Sequence, residues 1–438
     1  MSLSIYCILL IFAVGLVLSF EENSSSCDAT TNNNDSQCTS NSNASVSSSA
    51  SAEHSVKIES SPDHLDCPLY GCPFEPLDAI FDRRTNRALN ALRTEKQDQK
   101  GTRIRKKPWQ LFSQLGPLLS AGGSDFSTLS LKGKTDGSTH QDNQDLSFIY
   151  SPFQVVGRSA NKAQLLGVMD GHGTDALLVA QHVARELPRI LAEELSQRSN
   201  ATLALHETFR RVDATEPSQG TSGTTASVIL QLDNTLYIAN VGTSVSFVGV
   251  NIGEHIEVVY QSQRNTPDIP EERHRIEASG GRVLVSPGDL PRACVPTDSG
   301  LCRHAIPMSR SIGDGEVPGI ISTPVIDVID IDELIARAVS SYTATFCVDP
   351  AQTTCHSYSS KDAKLVAVAA TDGFLEFPER LDVTDVCHAF AASYYVPDNP
   401  HPHTASEYLL LEAAHLWEEA TKGDYRDDMV VASMKVWS

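Results

Sequence analysis

Between Leu165 and Val436 the chain is punctuated by short apolar runs, rich in β-branched residues and bounded by Gly, Asp or Asn, and this pattern admits little besides packed sheets. The runs are Leu165–Met169, Ala226–Leu232, Leu236–Val241, Val245–Val250, Ile256–Tyr260, Leu365–Ala370 and Met429–Val436. Their lengths suit buried strands rather than helices. After the first of them, Ala176, Ala180, Val183, Ala184, Leu187, Leu191 and Leu195 recur at three- and four-residue steps, which makes one apolar helical face. From about Gly133 onward, strands and helices follow closely enough for one mixed domain of about 300 residues, without an internal repeat.

The earlier part of the 438-residue chain reads differently. Residues 1–19 carry an apolar run from Ile5 to Leu18, too short to span a bilayer comfortably and followed by acidic, Ser-rich chain; this predicts a cleaved signal peptide. A membrane anchor formed by residues 5–18 is the alternative, as is entry to a plastid through a signal peptide exposing Phe20. Residues 20–64 are Ser, Asn, Thr and Asp with almost nothing apolar to offset ordering entropy, and are expected to form a disordered arm. Residues 65–131 read as a Cys-containing linker with a polar helical stretch and the basic cluster Arg103, Arg105, Lys106 and Lys107; residues 132–438 form the main domain.

Cysteines fall in local pairs, Cys27/Cys38, Cys67/Cys72, Cys294/Cys302 and Cys347/Cys355, leaving Cys387 single once Cys7 is removed. Local pairing and the sequons at Asn23, Asn34, Asn43 and Asn200 agree with a disulfide-bonded glycoprotein in a luminal or extracellular compartment. The segment Thr343–Ser360, with Cys347 and Cys355, reads as an insertion before the strand ending at Ala370.

A formal charge of −21 argues against nucleic acid or an anionic membrane surface as the main partner. Acidic groups suit cations instead. Asp170 follows the run LLGVM, Asp372 follows LVAVAAT, Asp427 precedes MVVASMKV and Asp145 precedes LSFIY, so four carboxylates emerge at the borders of apolar strands. Gly171 and Gly173 let the backbone turn beside Asp170, and a carbonyl in such a turn can be an oxygen ligand. Hard carboxylate and carbonyl oxygens favour Mg²⁺ or Mn²⁺ over Zn²⁺. No cysteine is followed six positions later by Arg, and no GxSxG elbow is present, so thiolate and serine nucleophiles are disfavoured.

The ordered set NQD (Asn143–Asp145), GVMDGHG, SGTTASVILQLDNTLYIANVG (Ser222–Gly242), PEERHRIEASGGRV (Pro270–Val283), MSRSIGDGEVPGIISTP (Met308–Pro324), AATDGFLEF (Ala369–Phe377) and RDD (Arg426–Asp428) resembles the type 2C family of metal-dependent protein Ser/Thr phosphatases. The resemblance implies an α+β fold: a central β-sandwich of two antiparallel sheets flanked by α-helices on both faces. It implies hydrolysis of phosphoproteins at a centre of two Mg²⁺ or Mn²⁺ ions per chain, held by Asp145, Asp170, the Gly171 carbonyl, Asp372 and Asp427, with His172 protonating the leaving oxygen. Phosphorylated proteins are the expected substrates, and a monomer without a stable membrane span after signal cleavage is the expected form.

Three positions depart from the family. Gln144 stands where many members have Glu, which weakens one metal position; Thr243 replaces an Asp of the GDSR sequence, which puts a third metal in doubt; His140 replaces a phosphate-holding Arg. Asp428, where others have Asn, reads as a turn residue. These departures leave a second possibility beside the active enzyme, a pseudophosphatase that binds phosphoproteins without turnover.

Overall fold

The computed structural model describes residues 120–437 except 135–141, 156, 158–162, 219, 221, 254, 287–289, 347–357, 376–380 and 397–400. The expected signal peptide, the Ser/Asn-rich arm, nearly all of the linker, His140 and the pairs Cys27/Cys38, Cys67/Cys72 and Cys347/Cys355 lie outside the described residues.

Sixteen strands and seven helices are described. The strands are β1 (Ser120–Gly122), β2 (Phe126–Leu131), β3 (Asp145–Tyr150), β4 (Ala163–His172), β5 (Gly223–Thr224), β6 (Ala226–Leu232), β7 (Thr235–Val241), β8 (Val245–Ile252), β9 (His255–Gln261), β10 (Arg282–Leu284), β11 (Arg292–Pro296), β12 (Cys302–Ile306), β13 (Ile312–Gly313), β14 (Val325–Asp330), β15 (Ala363–Ala370) and β16 (Met429–Val436). The helices are α1 (Ala176–Gln197), α2 (Ala201–Asp213), α3 (Pro270–Ala278), α4 (Ile331–Phe346), α5 (Asp372–Leu375), α6 (Val383–Tyr395) and α7 (Pro402–Thr421).

Two antiparallel sheets make the centre. One has the order β1-β2-β16-β15-β8-β9; the other runs β13-β5-β4-β6-β7-β14, with β3 also paired to β4. Strand side chains alternate between faces, and here both faces are buried, which is why the runs are continuously apolar. On β15, Leu365, Ala367 and Ala369 face Leu166, Val168 and Ile229 of the other sheet, while Val366, Val368 and Ala370 face Phe390, Leu410 and Trp417 of α6 and α7. On β4, Leu165 and Met169 turn outward to Val183, Leu187 and Leu191 of α1 and Phe209 of α2. The layers are therefore helix, sheet, sheet, helix, as the motifs imply. Each fully buried Leu, Val or Phe in them contributes about 1.5–3 kcal/mol.

Local signals set the helix starts. The Asn200 side chain accepts the Leu203 N–H and caps α2, Asp382 does the same for α6 through Thr384, and Pro270 occupies the first turn of α3. Asn200, the one described sequon residue, thus spends its side-chain oxygen on the cap and lies exposed.

Within the stretch read as linker, β2 pairs with β16 from Phe126 to Leu131 and β1 pairs with β2, so these residues belong to the first sheet. At the end of the sandwich away from Asp170, buried Gln164 donates to Gln231 Oε1 (3.1 Å) and to the Lys435 carbonyl (2.9 Å), stitching the two sheets. At the edge, the Tyr260 hydroxyl on β9 donates to Asp327 Oδ2 on β14 (2.7 Å). A third, small sheet of β10, β11 and β12 carries the disulfide Cys294–Cys302, one of the expected pairs; Cys387 is unpaired and buried. The segment read as an insertion begins inside α4, which continues to Phe346. No described helix is long and apolar enough to cross a membrane.

Candidate active site

Asp145 and Asp170 stand opposite each other across the β3–β4 pair. Asp145 is only 1% exposed. Thr371, the residue after β15, donates its hydroxyl to Asp145 Oδ2 at 2.6 Å and accepts the Val430 N–H at 3.0 Å, so it fixes the carboxylate from the opposite sheet. Asn143 supports the same turn through its Oδ1, which accepts the Asp145 N–H at 3.0 Å.

Asp372 heads α5, immediately beyond Thr371. Its carboxylate accepts the Thr243 hydroxyl at 3.2 Å on Oδ2, and its charge acts on Asp170. Thr243 thus fills the place of the missing acid with a donor aimed at a neighbouring carboxylate. Asp427 lies two residues before β16, close enough for its charge to act on Asp145, Asp170 and Asp372. The four predicted carboxylates therefore lie at the same end of the sandwich, within reach of one another's charge, two from the sheet containing β3 and β4 and two from the sheet containing β15 and β16.

Electrostatics records the crowding. Burial, then the charges of neighbouring aspartates, pushes Asp145 and Asp170 well above the ordinary carboxylate range. Burial, then Asp372 and Asp428, lifts Asp427 to about 7. Several buried carboxylates at one spot repel each other unless protons or a cation intervene. Among the described residues no three His, Cys, Asp or Glu groups converge as a finished metal cage. Two of the carboxylates accept threonine hydroxyls, Asp145 from Thr371 and Asp372 from Thr243. Their chemistry, oxygen donors alone, fits a hard divalent cation.

Two residues behave differently from expectation. Gly171 does not form the turn: β4 continues through it to His172, and its role is space, since a Cβ there would lie 2.8 Å from the Ala176 carbonyl oxygen. The turn belongs to Gly173, at φ +93°. Asp428 is more than a turn former. Its Oδ1 accepts the Gly133 N–H at 2.5 Å and its Oδ2 the Gln144 N–H at 2.7 Å, which clamps the strand bearing Asp145 to the chain entering β16. Gln144 itself offers its carbonyl to the Gly171 N–H at 3.2 Å.

His172 closes β4 beside this cluster. Its Nε2 lies 2.6 Å from Asp314 Oδ2, an oxygen that also accepts the Ser311 hydroxyl at 2.5 Å. The roles of Asp314, Thr371 and Asp428 were not assignable from the sequence, because each acts through a partner far away in the chain; Ser311, three residues from Asp314, matters only through that pairing. Next to His172 a cavity of roughly 290 Å³ is lined by Gly173, Arg292, His304, Asp314 and Glu316.

The segment that precedes Asp314 is braced by a buried ion cluster. Glu272 of α3 accepts from Ser309 Oγ (2.5 Å), Arg310 Nη2 (2.6 Å) and Arg275 Nη2 (2.9 Å). Burial works to raise the Glu272 carboxyl, but bonds from Arg310, Arg275 and Ser309 outweigh it and hold the group at about 2.

Comparison with known proteins agrees with this architecture. The solved serine-threonine phosphatase 2C from Toxoplasma gondii superposes with a TM-score of 0.51 at 15% identity, covering 73% of this chain and 99% of that one. A Caenorhabditis elegans sex-determining protein gives 0.50 at 16% identity, covering 82% and 73%. By sequence, "Probable protein phosphatase 2C 72" of Arabidopsis thaliana is 28% identical over 279 residues, which is 56% of this chain and 80% of the relative. "Probable protein phosphatase 2C 61" of the same plant is 26% identical over 283 residues, 59% and 83%. The profile of the family described as Protein phosphatase 2C matches residues 132–415, and the chain belongs to that family.

Proposed function

We propose that this protein is an active Mg²⁺- or Mn²⁺-dependent protein Ser/Thr phosphatase that hydrolyses phosphomonoesters with water. One observation carries the reading: Asp145 and Asp170 face each other across β3–β4, and Asp372 and Asp427 lie within reach of their charge from the other sheet, at the end of the sandwich where His172 closes β4. Asp145, Asp170, Asp372, Asp427 and the Gly171 carbonyl would hold two ions. Bound there, the ions would supply Lewis acidity to water and to the phosphate oxygens. Thr371 and Thr243 orient Asp145 and Asp372 by donating to one oxygen of each. His172 delivers a proton to the leaving serine or threonine oxygen, a step typically worth about 10²–10⁴-fold. The disulfide on the small sheet supports our further proposal of a luminal or extracellular location.

The test is hydrolysis of a phosphoserine peptide by the purified full chain with and without Mn²⁺, alongside Asp372→Asn and calorimetry of Mn²⁺ binding. Metal-dependent turnover lost in the variant, with weakened Mn²⁺ binding, supports the enzyme. Gln144 and Thr243 favour the alternative, a phosphoprotein-binding module. Peptide binding without turnover at millimolar Mn²⁺, or equal rates in the variant, would establish it.

A further inference from the structure

His172 is not held by the carboxylate cluster. Its partner is Asp314, on the segment between β13 and β14, more than a hundred residues away. The construction around that pair is unusually restrictive. Asp314 is 4% exposed, sits in the left-handed region at φ +54°, and has its N–H tied to the Ser222 carbonyl at 3.0 Å. Gly313, at φ +94°, donates its N–H to Asp213 Oδ1 at 2.9 Å. Gly223 of β5 lies against both members of the pair: a Cβ there would collide with Asp314 Oδ2 and come within 2.8 Å of His172 Nε2. Left-handed backbone at a non-glycine residue costs about 1–3 kcal/mol and persists where the surroundings over-determine it.

An imidazole anchored through one nitrogen presents the other, as in a carboxylate–histidine pair of a hydrolase. With Nε2 engaged, Nδ1 remains, and it is buried without a hydrogen-bond partner among the described residues. His172 and Asp314 both line the cavity beside the ring.

The geometry points to Asp314 as the positioning residue for His172, fixing the ring so that Nδ1 serves the leaving oxygen. This rests on the phosphatase reading. As the bond from water oxygen to phosphorus forms, the bond to the leaving oxygen breaks, its electron pair stays with that oxygen, and the oxygen takes the Nδ1 proton of the imidazolium form of His172, which is left as the neutral Nε2–H tautomer; the water keeps one proton in the hydrogen phosphate product and gives up the other to solvent, from which the ring is reprotonated. Asp314 accepts a hydrogen bond throughout and keeps its own state. Ser311, sharing Oδ2, limits rotation of the carboxylate.

Two arms test this. In the first, kcat and KM are measured with Mn²⁺ for wild type, Asp314→Asn, Gly223→Ala, His172→Ala and the Asp314→Asn/His172→Ala double variant. The substrates are a phosphoserine peptide and p-nitrophenyl phosphate, whose leaving group departs without a proton. Asp314→Asn should lower kcat on the peptide by about 10–10²-fold with KM little changed, with a loss on p-nitrophenyl phosphate at least about tenfold smaller. The double variant should match His172→Ala. Gly223→Ala, which pushes on the same pair, should give the same selectivity and serves if Asp314→Asn does not fold. Equal losses on both substrates, or additive losses in the double variant, overturn the assignment.

In the second arm, ¹⁵N NMR of the metal-free full chain reads the His172 tautomer, assigned by comparison with His172→Ala. Neutral His172 should carry its proton on Nε2 in wild type and redistribute it in Asp314→Asn; an Nδ1–H tautomer in wild type overturns the proposal. An inactive wild type would defeat the phosphatase reading, while the tautomer would still decide the role of Asp314.

Discussion

Replacing Glu272 by Gln removes a charge from a buried site while keeping its shape. The carboxylate receives Ser309 Oγ at 2.5 Å, Arg310 Nη2 at 2.6 Å and Nε at 3.0 Å, and Arg275 Nη2 at 2.9 Å. Its folded-state value of about 2, against an ordinary 4.5, corresponds to about 3 kcal/mol of stability at roughly 1.4 kcal/mol per pH unit. A group depressed on folding contributes fully above its unfolded value and loses that contribution as pH falls toward its folded value. The stabilisation is therefore complete above about pH 4.5 and fades between 4.5 and 2. Gln keeps one acceptor but leaves two guanidinium groups without their counter-charge, so breaking the cluster should cost about the same 3 kcal/mol. The assay is urea unfolding of wild type and Glu272→Gln at intervals from pH 7 to pH 3, with free energies from linear extrapolation. A gap of about 3 kcal/mol at pH 7 that holds to pH 5 and narrows below 4.5 is expected. A gap below about 1 kcal/mol, or one that ignores pH, would refute the reasoning.

Three further outcomes follow from the packing. Asp428→Ala strands the Gly133 and Gln144 N–H groups and should lower unfolding free energy by about 2–4 kcal/mol in urea, with weaker Mn²⁺ binding by calorimetry because Asp145 loses its clamp. Gly373→Ala drives a methyl into the Asp428 carbonyl oxygen and to 3.0 Å from Asp427 Cβ, so thermal unfolding should show a loss of about 1–3 kcal/mol; an unchanged midpoint would contradict the close approach. Cys387 is buried, its sulfur facing Gly249, and burial pushes its thiol well above the ordinary value. Iodoacetamide should leave it unlabelled in native protein and label it in urea, as read by mass spectrometry.

The central strands were legible because both faces of each are covered, which makes them uninterrupted apolar runs; Ala226–Leu232 and Met429–Val436 were bounded to the residue. β2 was missed for the opposite reason. Its buried Ser127, Thr128 and Ser130 look polar in sequence, yet each hydroxyl is hydrogen-bonded inside, Ser127 to Ser406, Thr128 to Ser147 and Ser130 to the Asp145 carbonyl. β10 and β12 were hidden by half-exposed, unpatterned residues such as Arg282, Arg303 and His304. The carboxylates and His172 could be named from their motifs. Their supports could not: Thr371 is 226 residues from Asp145 in sequence, and Asp314 is 142 from His172, and no local pattern announces such pairings.

The four carboxylates ride on two independent layers, and small side chains set the gap between those layers: Ala367, Ala369 and Ala432 on one sheet face Leu166, Val168 and Ile229 on the other. The site thus behaves like the jaws of a caliper whose hinge is the interlayer core. Adding a methylene deep inside, at Ala369 for instance, would act as a wedge and open the jaws without touching any charged group, so activity in this fold can be tuned from positions that never see substrate.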